Sequence, residues 1–229
     1  MNSSKIIAMT TPFTSEVDEY FDPGKMTEMD TDDFIAYVAR VSNPSNQMNT
    51  ETAPKLLRYL IKNKHWSPFE MVHIVMEINT TRDIARQILR HRSFSFQEFS
   101  QRYADPTKDL GFITREARLQ DSKNRQNSIE TDDKTLNGTW QVIQQKCIEQ
   151  SIIDYKWAID HGVAKEVARA ILPEGLTASR LYMAGSLRSW IHYCELRMAN
   201  GTQKEHREVA VSAWNEIVNK FPSLEGALD

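Results

Sequence analysis

Arg90-His91-Arg92-Ser93-Phe94-Ser95-Phe96-Gln97-Glu98-Phe99-Ser100-Gln101-Arg102-Tyr103 joins two kinds of pattern in one stretch. Just before it, Ile84, Ala85, Ile88 and Leu89 recur at helical spacing, with Asp83, Arg86, Gln87 and Arg90 on the other face. The spacing predicts a helix over Arg82–Arg90 in which Gln87 and Arg90, three apart, are neighbours. After His91 the pattern shifts. An extended run would put Phe94, Phe96, Glu98, Ser100 and Arg102 on one side. A carboxylate, a hydroxyl and a guanidinium would then stand in a row. Such a trio suits a ligand with both a phosphate and a polar ring. Arginine grips phosphate through parallel N–H bonds, serine adds a donor, and a carboxylate accepts from hydroxyls. Basic residues that end a helix also complement its dipole with no ligand at all. That simpler reading covers the three bases but leaves the ordered polar run after them without a role.

The remaining chain reads as a scaffold for this segment. With 229 residues it can bury a sizeable core. A net charge of -3 shows no global bias toward nucleic acid or membrane surfaces, so any anion site must be local. Cys147 and Cys194 fall on predicted helices far apart in sequence, which favours buried thiols over a disulfide and fits a reducing cytosol. There is no apolar run of about 18 residues and no leader pattern, so a cytoplasmic protein is expected.

In chain order, Lys5–Phe13 contains Ile6-Ile7-Ala8-Met9 and predicts a first strand, stopped by Pro12. Pro23 and its acidic neighbours predict a loop. Asp30 or Thr31 can cap a helix reaching Val41. Pro44 disfavours helix at Asn43 and leaves Ser42 near a helix end, where a plain turn is the ordinary reading. Thr52–Lys64 predicts a second amphipathic helix, followed by His65-Trp66-Ser67-Pro68-Phe69-Glu70. Met71–Thr80 alternates like a strand. Gly111-Phe112-Ile113-Thr114 is compatible with another, and the charged stretch to Asp133 predicts an excursion or loop. Thr139–His161 predicts a long helix. Its stripe of Trp140, Ile143, Cys147, Ile148, Ser151, Ile152, Tyr155 and Ile159 suits core or a subunit interface. Ala164–Pro173 predicts a short helix in which Arg169 lies at ion-pair spacing from Glu166. Gly175–Met183 follows as a strand.

Ser186–Met198 is the most informative helix. Leu187, Trp190, Ile191, Cys194 and Met198 form its apolar face. Arg188 and His192 lie together, four apart, whereas Arg197 points to the opposite side at 3.6 residues per turn. One helix therefore serves two ligand regions, or sites shared between subunits. Gln203–Phe221 predicts a last helix with Val209, Trp214 and Val218 inward. These elements together predict an α+β fold: a few mostly antiparallel strands with helices packed over them.

Arg90-His91-Arg92, seven residues, then Ser100-Gln101-Arg102 resembles the signature of flavin-dependent thymidylate synthases. The resemblance extends over most of the chain. It implies an enzyme that makes dTMP from dUMP, with 5,10-methylenetetrahydrofolate as one-carbon donor, FAD as cofactor and NADPH as reductant. It further implies a single domain over residues 1–229 and a homotetramer whose active sites are shared between subunits. Residue by residue, Gln87, Arg90, Glu98, Ser100, Gln101, Arg102, Arg169 and Arg197 would bind dUMP. Ser42, His65, Ser67, Arg90, His91, Arg92 and Glu98 would lie along FAD, joined by Ser186, Arg188 and His192. Arg169 is carried over from a segment resembling Ala-Arg-x-x-Leu-Pro, and His65 and Ser67 from one resembling His-x-Ser-x-Phe-Glu. Family members often have Asn where this chain has Gln97, Ser186 and His192.

The reaction requires C5 of uracil to become nucleophilic. Conventional thymidylate synthases use a cysteine attacking C6. Here both cysteines sit on helix stripes, away from the motifs, where a thiol behaves as a small hydrophobe. The resemblance instead implies that Arg197 is catalytic, stabilising negative charge on the ring. The chain has no G-x-G-x-x-G fingerprint, so FAD would be held by side chains outside a Rossmann fold. Its histidines are too scattered for a metal site, and none is expected. A nucleic-acid module stacking bases on Phe94, Phe96 and Tyr103 is the competing class. The acidic balance and the lack of a longer basic run disfavour it, and no nucleic-acid or membrane partner is expected. A purely structural helical oligomer leaves the motif spacing unexplained.

Overall fold

The computed structural model describes residues 2–12 and 29–228. The loop expected at Pro23 and the end of the first strand at Phe13 lie outside those residues. The architecture is α+β. Strands β1 (Ser3–Met9), β2 (His73–Thr81), β3 (Ser95–Glu98) and β6 (Ala178–Ser186) form one antiparallel sheet in the order β1-β2-β6-β3. β2 and β6 pair along their whole lengths, from His73 opposite Ser186 to Thr81 opposite Ala178. Alternation does what the sequence predicts. Ile74, Met76 and Ile78 are fully buried, and Leu181 and Met183 oppose Ile78 and Met76 on the same face.

Helices α1 (Thr31–Ala39), α2 (Ala53–Lys62), α3 (Arg82–Ile88), α5 (Leu187–Met198) and α6 (Lys204–Lys220) share one buried cluster with that face. Trp190 of α5 is its largest member, and its indole N–H donates to the Ile74 carbonyl at 3.2 Å. Phe94 lies edge-on to Trp190, with ring centroids 4.9 Å apart. Gly185 makes that approach possible, because a Cβ there would stand 2.5 Å from Phe94 Cδ1. The motif is thus docked on the core through its first aromatic residue.

Three expectations need correction. The extended run does not continue to Arg102. β3 ends at Glu98, and the Ser100 carbonyl accepts from Tyr103 and Ala104 in a turn. The turn is fastened to the one-turn helix Lys165–Ala168, where Lys165 Nζ donates to the Tyr103 carbonyl at 2.8 Å. Of the expected row, Phe94, Phe96 and Glu98 point inward, and the alternation stops there. Second, the polar stretch is not all loop. β4 (Arg118–Gln120) and β5 (Ser128–Glu130) form a small antiparallel hairpin, while Gly111–Thr114 contributes only a bridge from Phe112 to Thr177. Third, Cys147 is exposed, although Cys194 is buried.

Cys147 lies on α4 (Lys134–Asp160), outside its buried row; the helix begins at Asp133, which caps it by accepting from the Thr135 and Leu136 amides. Along α4, Ile148, Ser151, Tyr155 and Ala158 are buried. Trp140, Val142, Ile143, Ile153 and Trp157 are exposed, Ile153 and Trp157 to 60%. Among the described residues no helix is long and apolar enough to cross a membrane.

Candidate active site

α3 ends where the Arg-His-Arg stretch begins, with the His91 amide closing on the Ile88 carbonyl at 3.0 Å. Arg90 and Arg92 are left exposed, while His91 turns inward. The last turn of α5 meets it there. Arg197 Nε donates to His91 Nε2 at 2.9 Å, and the His91 ring stands edge-on to Tyr193 at 5.0 Å. A guanidinium can only donate, so His91 must be neutral with its proton on Nδ1. Burial agrees, together with the Arg197 and Arg90 charges: it pushes the His91 pKa down to about 4. His206 of α6 is fully buried beside this pair, its ring centroid 6.3 Å from that of His91.

Glu98 is already engaged on both oxygens. Ser179 Oγ donates to Oε1 at 2.9 Å, Arg86 Nη1 to Oε2 at 3.2 Å, and Arg82 Nη1 lies 3.6 Å away. Burial lowers the Arg82 pKa, and Glu98 opposes that shift. Arg169 opens the turn directly after the Lys165–Ala168 helix, to which Arg102 and Tyr103 are tied. Glu166 pairs with Arg102 at 3.1 Å rather than with Arg169. Both partners are more than half exposed, so the pair is weak and open to exchange for a ligand anion. Gln101, between Ser100 and Arg102, is buried with its Nε2 unpartnered. Glu98, Ser100, Gln101, Arg102 and Arg169 therefore gather at the end of β3 and the turn after it, with Gln87, His91 and Arg197 along α3 and its exit.

The other expected set lies at the opposite end of α5. Ser186 caps that helix, its Oγ accepting from the Ser189 amide at 3.3 Å. Arg188 Nη1 donates to Glu70 Oε1 at 2.6 Å. The Ser186 hydroxyl and the Arg188 guanidinium hold the Glu70 carboxyl below the usual range. Glu70 closes the turn Ser67–Glu70, which brings Ser67 and His65 nearby, both exposed. His192 stands edge-on to Trp66 at 4.5 Å and lines a cavity of about 460 Å³ with Lys62, Lys64 and Glu195. Ser42 is exposed beyond α1 and is not brought to either group by any side-chain hydrogen bond among the described residues. Arg188 and Arg197 reach different parts of the chain, Glu70 and His91, in keeping with their spacing on one helix.

Several residues of this network carry no clear mark in the sequence. Arg82 and Arg86 are ordinary i, i+4 cations there, and only β3 folding back over α3 reveals their carboxylate. Gln203, Glu205 and His206 look like the polar first turn of α6. A signal existed in His206, which falls in register with the buried Val209 and Ala213. Cys194 is buried, and burial pushes its thiol pKa up, so it offers no thiolate.

Arginines gathered at the edge of an antiparallel sheet, one of them held by a neutral histidine, make an arrangement in an α+β protein that suits a nucleotide or phosphate. Residues 26–223 match the sequence model of the thymidylate synthase complementing protein family. The chain is 46% identical over 230 residues to a probable flavin-dependent thymidylate synthase of Paramecium bursaria Chlorella virus 1, with 99% of each chain covered. It is 50% identical over 195 residues to the flavin-dependent thymidylate synthase of Synechocystis, covering 85% of this chain and 88% of that one. Among solved structures, the fold is similar to that of PolB, a UMP/dUMP methylase from Streptomyces cacaoi bound with 5-Br dUMP. The TM-score is 0.76 at 22% identity, covering 99% of this chain and 94% of that one. The chain belongs to the flavin-dependent thymidylate synthase family.

The residues present fit a flavin nucleotide in one testable respect. Arg90 and Arg92 are exposed, and neither has a carboxylate partner among the described residues. Guanidinium groups in that state suit a pyrophosphate.

Proposed function

We propose that this chain converts dUMP to dTMP, with 5,10-methylenetetrahydrofolate as one-carbon donor, and that Arg197 activates the uracil ring. The observation that carries the proposal is the contrast between two arginines of α5. Arg188 is neutralised by Glu70, whereas Arg197 is held by the uncharged His91. Arg197 thus keeps its full charge while its Nε is tethered. Its terminal nitrogens remain to meet O2 or N3 of uracil as negative charge builds there, and C5 becomes nucleophilic without a thiolate. A pre-arranged donor of this kind contributes roughly 10²–10³ in rate.

Arg102 and Arg169 hold the phosphate, with Ser100 and Gln101 beside it. Glu98 and Gln87 fix the sugar and base, Glu98 being locked by Arg86 and Ser179. Arg90, His91 and Arg92 lie along the flavin, with His65, Ser67, Ser186, Arg188 and His192 around it and Ser42 reaching it in the assembly. When bound, FAD supplies the hydride, drawn from NADPH, that completes the methyl group. The protein acts as one domain in the cytoplasm and as a homotetramer. The exposed apolar residues of α4 support an assembly, because such a stripe is rarely left to water.

The test is dTMP formation by the purified chain supplied with FAD, NADPH, methylenetetrahydrofolate and dUMP. Turnover that needs all four supports the proposal. Absence of turnover with FAD bound would overturn it, and salt-sensitive oligonucleotide binding without flavin would point to the nucleic-acid class.

A further inference from the structure

Gln87 is held through both ends of its amide. Its Nε2 donates to Gln203 Oε1 at 2.8 Å. Gln203 Nε2 donates in turn to Glu205 Oε2 at 2.9 Å. The other oxygen of Glu205 accepts from Arg118 Nη2 at 2.5 Å. At the opposite end, Gln87 Oε1 lies 3.3 Å from His206 Nδ1.

An amide group can turn over about its last bond and exchange donor for acceptor. Within this chain of hydrogen bonds that freedom is absent. Burial works to raise the Glu205 pKa, but its own backbone N–H, Gln203, Arg115 and Arg118 outweigh it and hold the carboxyl below the usual range. An ionised carboxylate only accepts. The Gln203 NH₂ must therefore face Glu205, and its oxygen must face Gln87. The Gln87 NH₂ then faces Gln203, and its oxygen faces His206. His206 must carry its proton on Nδ1, which leaves the buried Nε2 bare, and that atom has no partner. The direction of every bond follows from one charge.

We infer that Glu205 is a positioning residue for the nucleotide: acting through Gln203, it dictates where Gln87 presents a donor and where an acceptor. Each end of the Gln87 amide spends one bond in this chain and keeps one N–H and one lone pair for a ligand. The uracil edge alternates acceptor, donor, acceptor, so a reversed amide would set donor against donor. The inference rests on the reading of Gln87 as a dUMP ligand.

A double-mutant cycle on the KM for dUMP separates the two. Gln203→Met matches the side-chain length, removes the relay and leaves the Arg118–Glu205 pair in place. It should raise KM about tenfold, the scale of removing one buried hydrogen bond, with a smaller change in kcat and a thermal midpoint near that of the wild type. Glu205→Gln, whose amide can donate, should raise KM in the same way by letting the chain reverse. Gln87→Met should raise KM at least as much, and adding Gln203→Met to it should change little more, because both act through one group. Unchanged KM in Gln203→Met beside a raised KM in Gln87→Met would overturn the relay, as would additive effects. Unchanged KM in Gln87→Met would instead overturn the assignment of Gln87 to dUMP.

Discussion

Helices α5 and α4 show two ways of using an apolar face. On α5, Leu187, Trp190, Ile191, Tyr193 and Cys194 are all buried against the sheet and α6. Arg188 and Arg197 leave from opposite ends and sides and meet partners in the same chain, Glu70 and His91. On α4, more than twice as long, Gln144, Ile148, Ser151, Tyr155 and Ala158 are buried, two of them polar, and Val142, Ile143, Ile153 and Trp157 face outward. The lesson is that burial within the chain fixes where Arg188 and Arg197 stand, while α4 leaves apolar side chains facing outward.

The sharpest break of that contrast is a pair of tryptophan replacements. Trp190→Ala should cost about 3–5 kcal/mol in chemical denaturation, through weakened packing, a residual cavity and loss of the indole bond to the Ile74 carbonyl. Trp157→Ala should cost less than ~0.5 kcal/mol within one chain, as for an exposed residue, and sedimentation should report smaller assemblies. Equal drops in stability would remove the distinction between the two helices.

Next in size is Arg197→Ala. It should lower dTMP formation by roughly 10²–10³ while FAD stays bound, checked by turnover beside the flavin absorption. Near-normal turnover would take Arg197 out of the catalytic role. Arg102→Ala should act mainly on dUMP affinity, by about tenfold or somewhat more, the worth of a charged hydrogen bond. Isothermal titration reads it directly, and unchanged affinity would contradict the phosphate assignment.

A smaller effect concerns pH. Burial, aided by the Arg197 and His91 charges, holds the His206 pKa at about 3, below its ordinary 6.5. As pH falls below 6.5, the unfolded chain takes up this proton and the folded one does not. The stability His206 contributes is therefore fully present above pH 6.5 and is lost as pH falls toward 3, by ~2 kcal/mol at pH 5. The Asp33 carboxyl, raised to about 6 by burial and by Asp30 and Asp32, works the other way. The measurement is thus the difference in pH dependence between wild type and His206→Asn from pH 7.5 to 5. Parallel curves would refute the buried neutral histidine.

Much of this is legible in the sequence, for identifiable reasons. The alternation of β2 and the apolar face of α5 repeat over enough residues to fix element type and inward face. The opposed directions of Arg188 and Arg197 follow from helical pitch alone. The Ser100–Arg102 segment reads as strand because period two survives in a turn when polar residues happen to alternate. After β3 the chain turns and is tied to residues 165–166, far away in sequence. The β4–β5 hairpin is invisible for a different reason. Each strand has one apolar residue, Leu119 or Ile129, and both are exposed. The relay through Gln203, Glu205 and His206 cannot be read because its logic lies in bond direction between α3 and α6, which spacing does not encode.

The central claim is that ring activation comes from a guanidinium and not from a thiolate. The most direct test is the rate of dTMP formation by a Cys147→Ala/Cys194→Ala double variant, with its fold verified by denaturation. The account predicts turnover within a few-fold of wild type. A folded, flavin-bound double variant with no turnover would contradict it.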